Sequence, residues 1–315
     1  MTTAFLTHPD ALAHKNPPGH PERIERLEAI LDRMTKVEYT GLQREEAPLC
    51  SDDDILLCHL PPYLERVVEA APQGAGWVPL DSDTHLNKGT LNAARRGVGG
   101  NLKAVDMVLD GAVQNAFVAM RPPGHHAERD TAMGFCFFGN AAIAAKHALD
   151  RRGLSRVAIV DFDVHHGNGT QDLLWDEPRA LFISTHQMPL YPGTGVPNEK
   201  GAHGQIVNVP LRTGTGTKAF QTAWNAHVQP ALEAHEPELI FISAGFDAHM
   251  ADPLAELHLL PDDFAWATEQ ICNVADRYAQ GRIVSTLEGG YDLQGLADSV
   301  EAHLTVLMER GEKNE

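Results

Sequence analysis

An α/β fold, built on a mostly parallel sheet with helices on both faces, is the class this 315-residue chain predicts. Two observations carry the prediction. Short apolar runs alternate with helix-period segments along most of the chain, as repeated strand–helix–strand units require. Those runs are apolar throughout rather than at every second residue, as in strands buried on both faces. A third observation concerns division: no Pro/Gly/Ser-rich linker, repeat or low-complexity run interrupts the chain. Residues 1–315 are therefore read as one domain.

The first expected helix follows Pro21 and carries Ile24, Leu27, Leu31 and Met34 at helical spacing. A second spans 90–109, with Leu91, Val98, Leu102 and Val105 on its apolar side. Strands are expected at 116–120, 157–160, 181–184, 206–209, 239–243 and 283–287. Helices are expected at 140–150, 218–235, 261–279 and 293–310.

Composition narrows the setting. The chain is 43% hydrophobic and 22% charged, ordinary for a globular protein. It has no 18-residue apolar run, so no membrane span is expected. Its start, MTTAFLTHPD, lacks a basic region followed by an apolar core, so no secretory signal is expected. Cys50, Cys58, Cys136 and Cys272 form no C-x-x-C pair, which favours a reduced, cytoplasmic setting. A net charge of −18 repels nucleic-acid phosphates and favours cationic partners. A homo-oligomer remains open.

The segment VAIVDFDVHHGNGT (157–170) is the most informative. Its strand delivers Asp161, Asp163, His165, His166 and Asn168 at the carboxyl end, interrupted by Gly167 and Gly169. Carboxylates and imidazoles crowded there are costly to bury without a partner, and a divalent metal is the simplest one. Asp163 and His165 are two apart, so in extended chain both point the same way and can share one ion. Other strand ends bring matching pieces: RPPGHHAE with His125 and His126, Thr185 and His186, AGFDAH with Asp247, and EGGY with Tyr291. In open parallel sheets ligands bind outside the carboxyl ends of the strands, so these ends point to one active site.

Asp163, His165 and Asp247 make a three-ligand set with one position left open, as catalytic zinc requires. Fe(II) or Co(II) suits the same donors, and Asp247 could instead cap a helix. Adjacent His125 and His126 suit proton transfer near neutral pH. Each needs an acceptor behind its far nitrogen: Asp161 for His125 and Asn168 for His126. An anion behind His125 raises its basicity and makes it an electrostatic helper, which leaves His126 as general base and then acid. Gly289 and Gly290 let the chain bend close to the site, where the Tyr291 hydroxyl would donate to a developing oxyanion. The glycine-rich GNG segment could cradle a phosphate. However, the chain has no G-x-x-x-x-G-K-[ST], and no G-x-G-x-x-G after a strand.

HPER (20–23), RPPGHH (121–126), GFCFFGN (134–140), DFDVHHGNGT (161–170), YPGTG (191–195), SAGFDAH (243–249) and LEGGY (287–291) recur in one order. On these motifs the chain resembles the zinc-dependent deacetylases of the arginase/deacetylase fold. That group holds histone deacetylases, acetylpolyamine amidohydrolases and acetoin-utilisation proteins. LEGGY and Asn168 resemble the class II and bacterial members more than class I. The resemblance implies a three-layer α/β/α fold with about eight strands. It also implies zinc-assisted hydrolysis of an acetyl amide, with His126 as base, Tyr291 at the oxyanion and release of acetate. Phe135 and Tyr191 match the walls of a narrow channel next to Gly134, although phenylalanine is more usual at 191. Arg23 matches an interior arginine lining an acetate exit. The main-chain carbonyls of Asp161, Asp163 and His165, with the Ser184 hydroxyl, would hold potassium.

The implied substrate is an acetylated lysine in a protein or peptide, or an acetylated polyamine. Polyamine-selective members place an acidic gatekeeper at the mouth, where this chain has Leu254, and that favours acetyl-lysine. Asp81 and Asp83 could still hold a second amine. A non-catalytic module that binds acetylated ligands is the third alternative.

Overall fold

The computed structural model describes residues 2–312; Met1 and residues 313–315, at the ends of the expected 1–315 domain, lie outside the described residues. Among the described residues there are ten strands: β1 (Thr3–Thr7), β2 (Gln43–Glu46), β3 (Val78–Pro79), β4 (His85–Leu86), β5 (Asn115–Val118), β6 (Val157–Asp161), β7 (Ala180–Gln187), β8 (Ile206–Leu211), β9 (Leu239–Ala244) and β10 (Ile283–Leu287). Eight form one sheet in the order β2-β1-β5-β10-β9-β6-β7-β8, and every pairing in it is parallel. β3 and β4 make a small antiparallel pair.

The central strands β5, β6, β9 and β10 are buried at every residue. Helices Thr90–Leu109 and Asn140–Asp150 pack together against one side of the sheet. Helices Ile24–Arg33, Pro261–Tyr278 and Leu293–Glu312 pack together on the other. This is the three-layer α/β/α arrangement. Register aligns the carboxyl ends of the middle strands: Asp161 lies beside Ser184 on one neighbour and Ser243 on the other, and Ser243 lies beside Thr286. Residues that follow these positions must converge on one edge.

Four strands were not expected from sequence: the short β3–β4 pair, and β1 and β2 of the main sheet. β1 is a short apolar run between polar ends, and β2, with the sequence QREE, is half solvent-facing at the sheet edge. At the other edge, β8 runs two residues past the expected end and includes Pro210. An edge strand tolerates the missing donor. The helix expected at 218–235 is divided into Thr217–Ala223, a π-helical turn at Trp224–Val228, and Gln229–His235. Pro230 has no N–H and its ring crowds the preceding turn, which accounts for the widened turn before it. No helix among the described residues is long and apolar enough to cross a membrane.

Candidate active site

β6 ends at Asp161, and the next residues turn over the sheet edge and carry Asp163 and His165 inward. β9 ends at Ala244 and brings Asp247 from the neighbouring strand. One ligand atom from each of Asp163, His165 and Asp247 lies within 4.8 Å of the others, and all three residues are buried. His165 Nδ1 stands 3.1 Å from both Asp163 Oδ1 and Asp247 Oδ2. Asp247 caps no helix; its Oδ1 accepts from the Val164 backbone N–H at 2.8 Å. The carboxylates fit because Gly245 and Gly289 pack against them: a Cβ on Gly245 would overlap Asp163, and one on Gly289 would overlap both Asp163 and Asp247. The Gly289 N–H in turn donates to Asp163 Oδ2 at 2.8 Å.

The electrostatics of this trio call for a cation. Burial, and then the charge of Asp163, push Asp247 up to about 7. Burial works against the imidazolium of His165, yet bonds to the two carboxylates raise it to about 10. Two carboxylates so close, with no solvent, favour a positive partner between them. Two oxygen donors and one imidazole with an open fourth position suit a catalytic divalent metal such as zinc.

The two histidines differ in what stands behind them. His125 Nδ1 donates to Asp161 Oδ2 at 3.0 Å. Burial lowers its basicity, but the Asp163 and Asp161 carboxylates outweigh burial and hold it well above the usual histidine range. His126 Nδ1 lies 2.7 Å from Asn168 Oδ1. The Asn168 amide donates to Glu128 Oε1 at 2.7 Å, a group that as a carboxylate only accepts. Asn168 must therefore turn its oxygen to His126, so Nδ1 carries the proton and Nε2 is left as the acceptor. Burial, followed by the positive His125 and His165, lowers His126 well below its usual value.

Around these groups lies a cavity of about 240 Å³, lined by His126, His165, Gly134, Phe135, Leu190, Tyr191, Asp83, Leu254 and Tyr291. Gly134 adopts φ 55° and Phe135 φ 68°. A side chain on Gly134 would collide with the His126 ring. The unusual backbone at Phe135 is held by its N–H donating to Thr84 Oγ1 at 3.0 Å. Its ring packs edge-on to His20 at 4.6 Å and to Tyr291 at 5.9 Å. Tyr191, which lines the same cavity as Phe135, packs edge-on to His126 at 5.2 Å. The channel residues predicted from sequence therefore do share one space. Asp83 lines it directly, whereas Asp81 turns away to accept the Asp83 N–H at 2.7 Å. Ser184 is buried on β7, 2.9 Å from His186 Nδ1.

Arg23 does not occupy an interior position. It sits exposed at the cap residue before helix Ile24–Arg33, where the backbone is still extended and directs its side chain to solvent. Arg26, within that helix, faces inward instead. It is fully buried, donates to the Gly290 carbonyl at 2.5 Å and to the Glu288 carbonyl at 2.6 Å, and lies 4.8 Å over the Tyr291 ring. Glu22 neutralises it at 3.0 Å and also pairs with buried Arg121 at 2.5 Å. Burial opposes ionisation of Glu22, but Arg121, His14 and Arg26 hold it well below the usual carboxylate range. Removing one partner of a buried ion cluster costs about 3–5 kcal/mol. Glu22→Ala is therefore expected to lower stability by that order in urea unfolding; a loss below about 1 kcal/mol would show the two guanidiniums reaching solvent.

Other contributors carried no role in the sequence reading. Glu288, buried, accepts the backbone N–H groups of Gly124 at 2.7 Å and His125 at 3.1 Å, fixing the turn that presents both histidines. Burial pushes its carboxyl up to about 7. Asp252 accepts from the Tyr291 N–H at 2.7 Å and the Leu254 N–H at 3.0 Å. Glu288 stands inside LEGGY, and Arg26 lies four residues after Glu22 on a helix, so both had a faint signal. Asp252 had none.

Residues 20–307 match the family model described as "Histone deacetylase domain". The chain is similar to a "Probable deacetylase" of Archaeoglobus fulgidus, 38% identical over 301 residues, covering 94% of this chain and 83% of that protein. It is also similar to "Polyamine deacetylase HDAC10" of Homo sapiens, at 37% identity, covering 95% of this chain and 47% of that protein. Among solved structures, the HDA15 HD domain matches with TM-score 0.92 at 33% identity, covering 98% of this chain and 89% of that chain.

Proposed function

The chain belongs to the histone deacetylase family and is a hydrolase acting on amides, and from that premise we propose that it removes acetyl groups from lysine side chains of proteins or peptides. The observation that carries the substrate reading is apolar Leu254 at the channel mouth, where a second cationic amine would need an anion. The narrow space between Phe135 and Tyr191 suits a four-carbon stem. Zinc held by Asp163, His165 and Asp247 would polarise the acetyl carbonyl and acidify a water at its open position.

The chain's own residues supply the rest. His126 Nε2, unprotonated because Asn168 fixes the proton on Nδ1, accepts the water proton and later returns it to the departing amine. Tyr291, kept neutral by burial well above its usual range, donates its hydroxyl to the oxygen on which charge develops. His125, kept charged by Asp163 and Asp161, supplies positive potential beside the reaction. The Ser184 oxygen, with the main-chain carbonyls of Asp161, Asp163 and His165, would hold potassium. His186 Nε2 donates to the Gly195 carbonyl at 2.9 Å, so its Nδ1 accepts the Ser184 proton and leaves that oxygen's lone pairs free. Cysteines that form no C-x-x-C pair suit a reduced, cytoplasmic setting.

Asp83 in the channel wall favours a second reading, an acetylpolyamine amidohydrolase. Zinc-loaded protein assayed in parallel on an acetyl-lysine peptide and on acetylspermidine, each with and without a chelator, separates the two. Chelator-sensitive peptide turnover is expected to exceed polyamine turnover. Leu254→Glu should move the ratio toward acetylspermidine by roughly two- to five-fold, as one added charge pair near the surface allows. An unmoved ratio would remove Leu254 as the determinant.

A further inference from the structure

Beside the channel lies a larger open cavity of about 660 Å³, and Leu254 and Tyr291 form walls of both. Lys15 and Arg23 also line it, both exposed. Among the described residues neither side chain has an ion-pair or hydrogen-bond partner. Such freedom contrasts with Arg33, Arg96, Arg121, Arg152 and Arg179, all engaged by carboxylates in this acidic chain. Both backbones are fixed. Trp77 Nε1 donates to the Lys15 carbonyl at 2.8 Å, and Arg23 is the cap residue of helix Ile24–Arg33. His20, also in the lining, ties this cavity to the channel by donating Nε2–H to the Asp83 carbonyl at 2.9 Å. Glu25 is the one carboxylate in the lining and offsets only one of the two cations.

A lysine stem threaded through the channel would pass Leu254, which the channel shares with the larger cavity. Groups on or next to its α-carbon then fall into the larger cavity. We propose that this cavity is a subsite for a carboxylate carried beside the acetylated side chain, held by the Lys15 ammonium and the Arg23 guanidinium. The proposal rests on the acetyl-lysine reading above. Two sources carry this chemistry: an acidic residue flanking acetyl-lysine, or the free α-carboxylate of acetyl-lysine at a chain end.

The test compares three peptides of equal length: one with a neutral flank and amidated end, one with a glutamate flank, and one ending in acetyl-lysine with a free carboxylate. Zinc-loaded protein should favour at least one anionic peptide in kcat/KM by roughly five-fold at low salt, as solvent-exposed charge pairs allow. The preference should shrink as salt rises and fall to about one in the Lys15→Gln/Arg23→Gln double variant. The arm that shows it identifies the source. Equal kcat/KM for all three, or a preference that survives in the double variant, overturns the subsite and leaves the deacetylase reading intact. Affinities of the same peptides for Tyr291→Phe protein, by calorimetry, decide the subsite independently of turnover. If the wild-type protein hydrolyses none of the three, the acetyl-lysine reading fails, and those affinities still accept or reject the carboxylate subsite.

Discussion

Alanine at His126 is expected to lower kcat on an acetyl-lysine peptide by about 10²–10⁴-fold, the contribution of a positioned acid–base group. KM and bound zinc should change little, because His126 hydrogen-bonds Asn168 and is not among the grouped metal-ligating residues. Kinetics combined with metal analysis would check this, and a loss under about ten-fold would reject His126 as the proton carrier. The pH profile gives a second reading of the same group. Burial and the charges of His125 and His165 lower its pKa below the ordinary 6.5, so it is neutral and able to accept a proton at pH 7. Activity is therefore retained above that lowered pKa and lost as pH falls through it, which places the acid limb below pH 6.5. An acid limb above that value would contradict the assignment.

Phenylalanine at Tyr291 is expected to lower kcat by about 10²–10³-fold, the size of a lost donor at a developing oxyanion. The ring contacts with Phe135 and Arg26 do not use the hydroxyl, so folding and peptide affinity should survive the change. A loss confined to kcat is the signature of an interaction made in the transition state. Hydrolysis equal to wild type would show that the hydroxyl does not reach the reacting oxygen. A rise in KM alone would make Tyr291 a wall of the channel and nothing more.

The central strands were legible in the sequence because burial on both faces leaves an unbroken apolar run. β2 was not, because its only requirement is to pair along one edge, and QREE does so with two side chains in water. The candidate site was legible where rare residue types stand at strand ends: the fold groups Asp163, His165 and Asp247 and sets the two histidines and Tyr291 beside them. Their supports were less so. Glu128 and Asp252 act through hydrogen bonds formed by folding distant segments together, and an acidic residue in a loop is ordinary by composition. The arginine reading failed by three residues: Arg23 stands inside the motif, but it is the extended cap before the helix, and the interior position belongs to Arg26 within the helix.

Asp252 has a consequence for how this enzyme could diversify. One carboxylate grips both the segment carrying Leu254 and the loop carrying Tyr291. A backbone change that re-aims Leu254 therefore pulls on the loop that carries Tyr291. Under the proposed roles of these two residues, selectivity and turnover are inherited as a linked pair, and a lineage changing its substrate has its simplest route through side-chain swaps at 254 that leave the Asp252 grip in place.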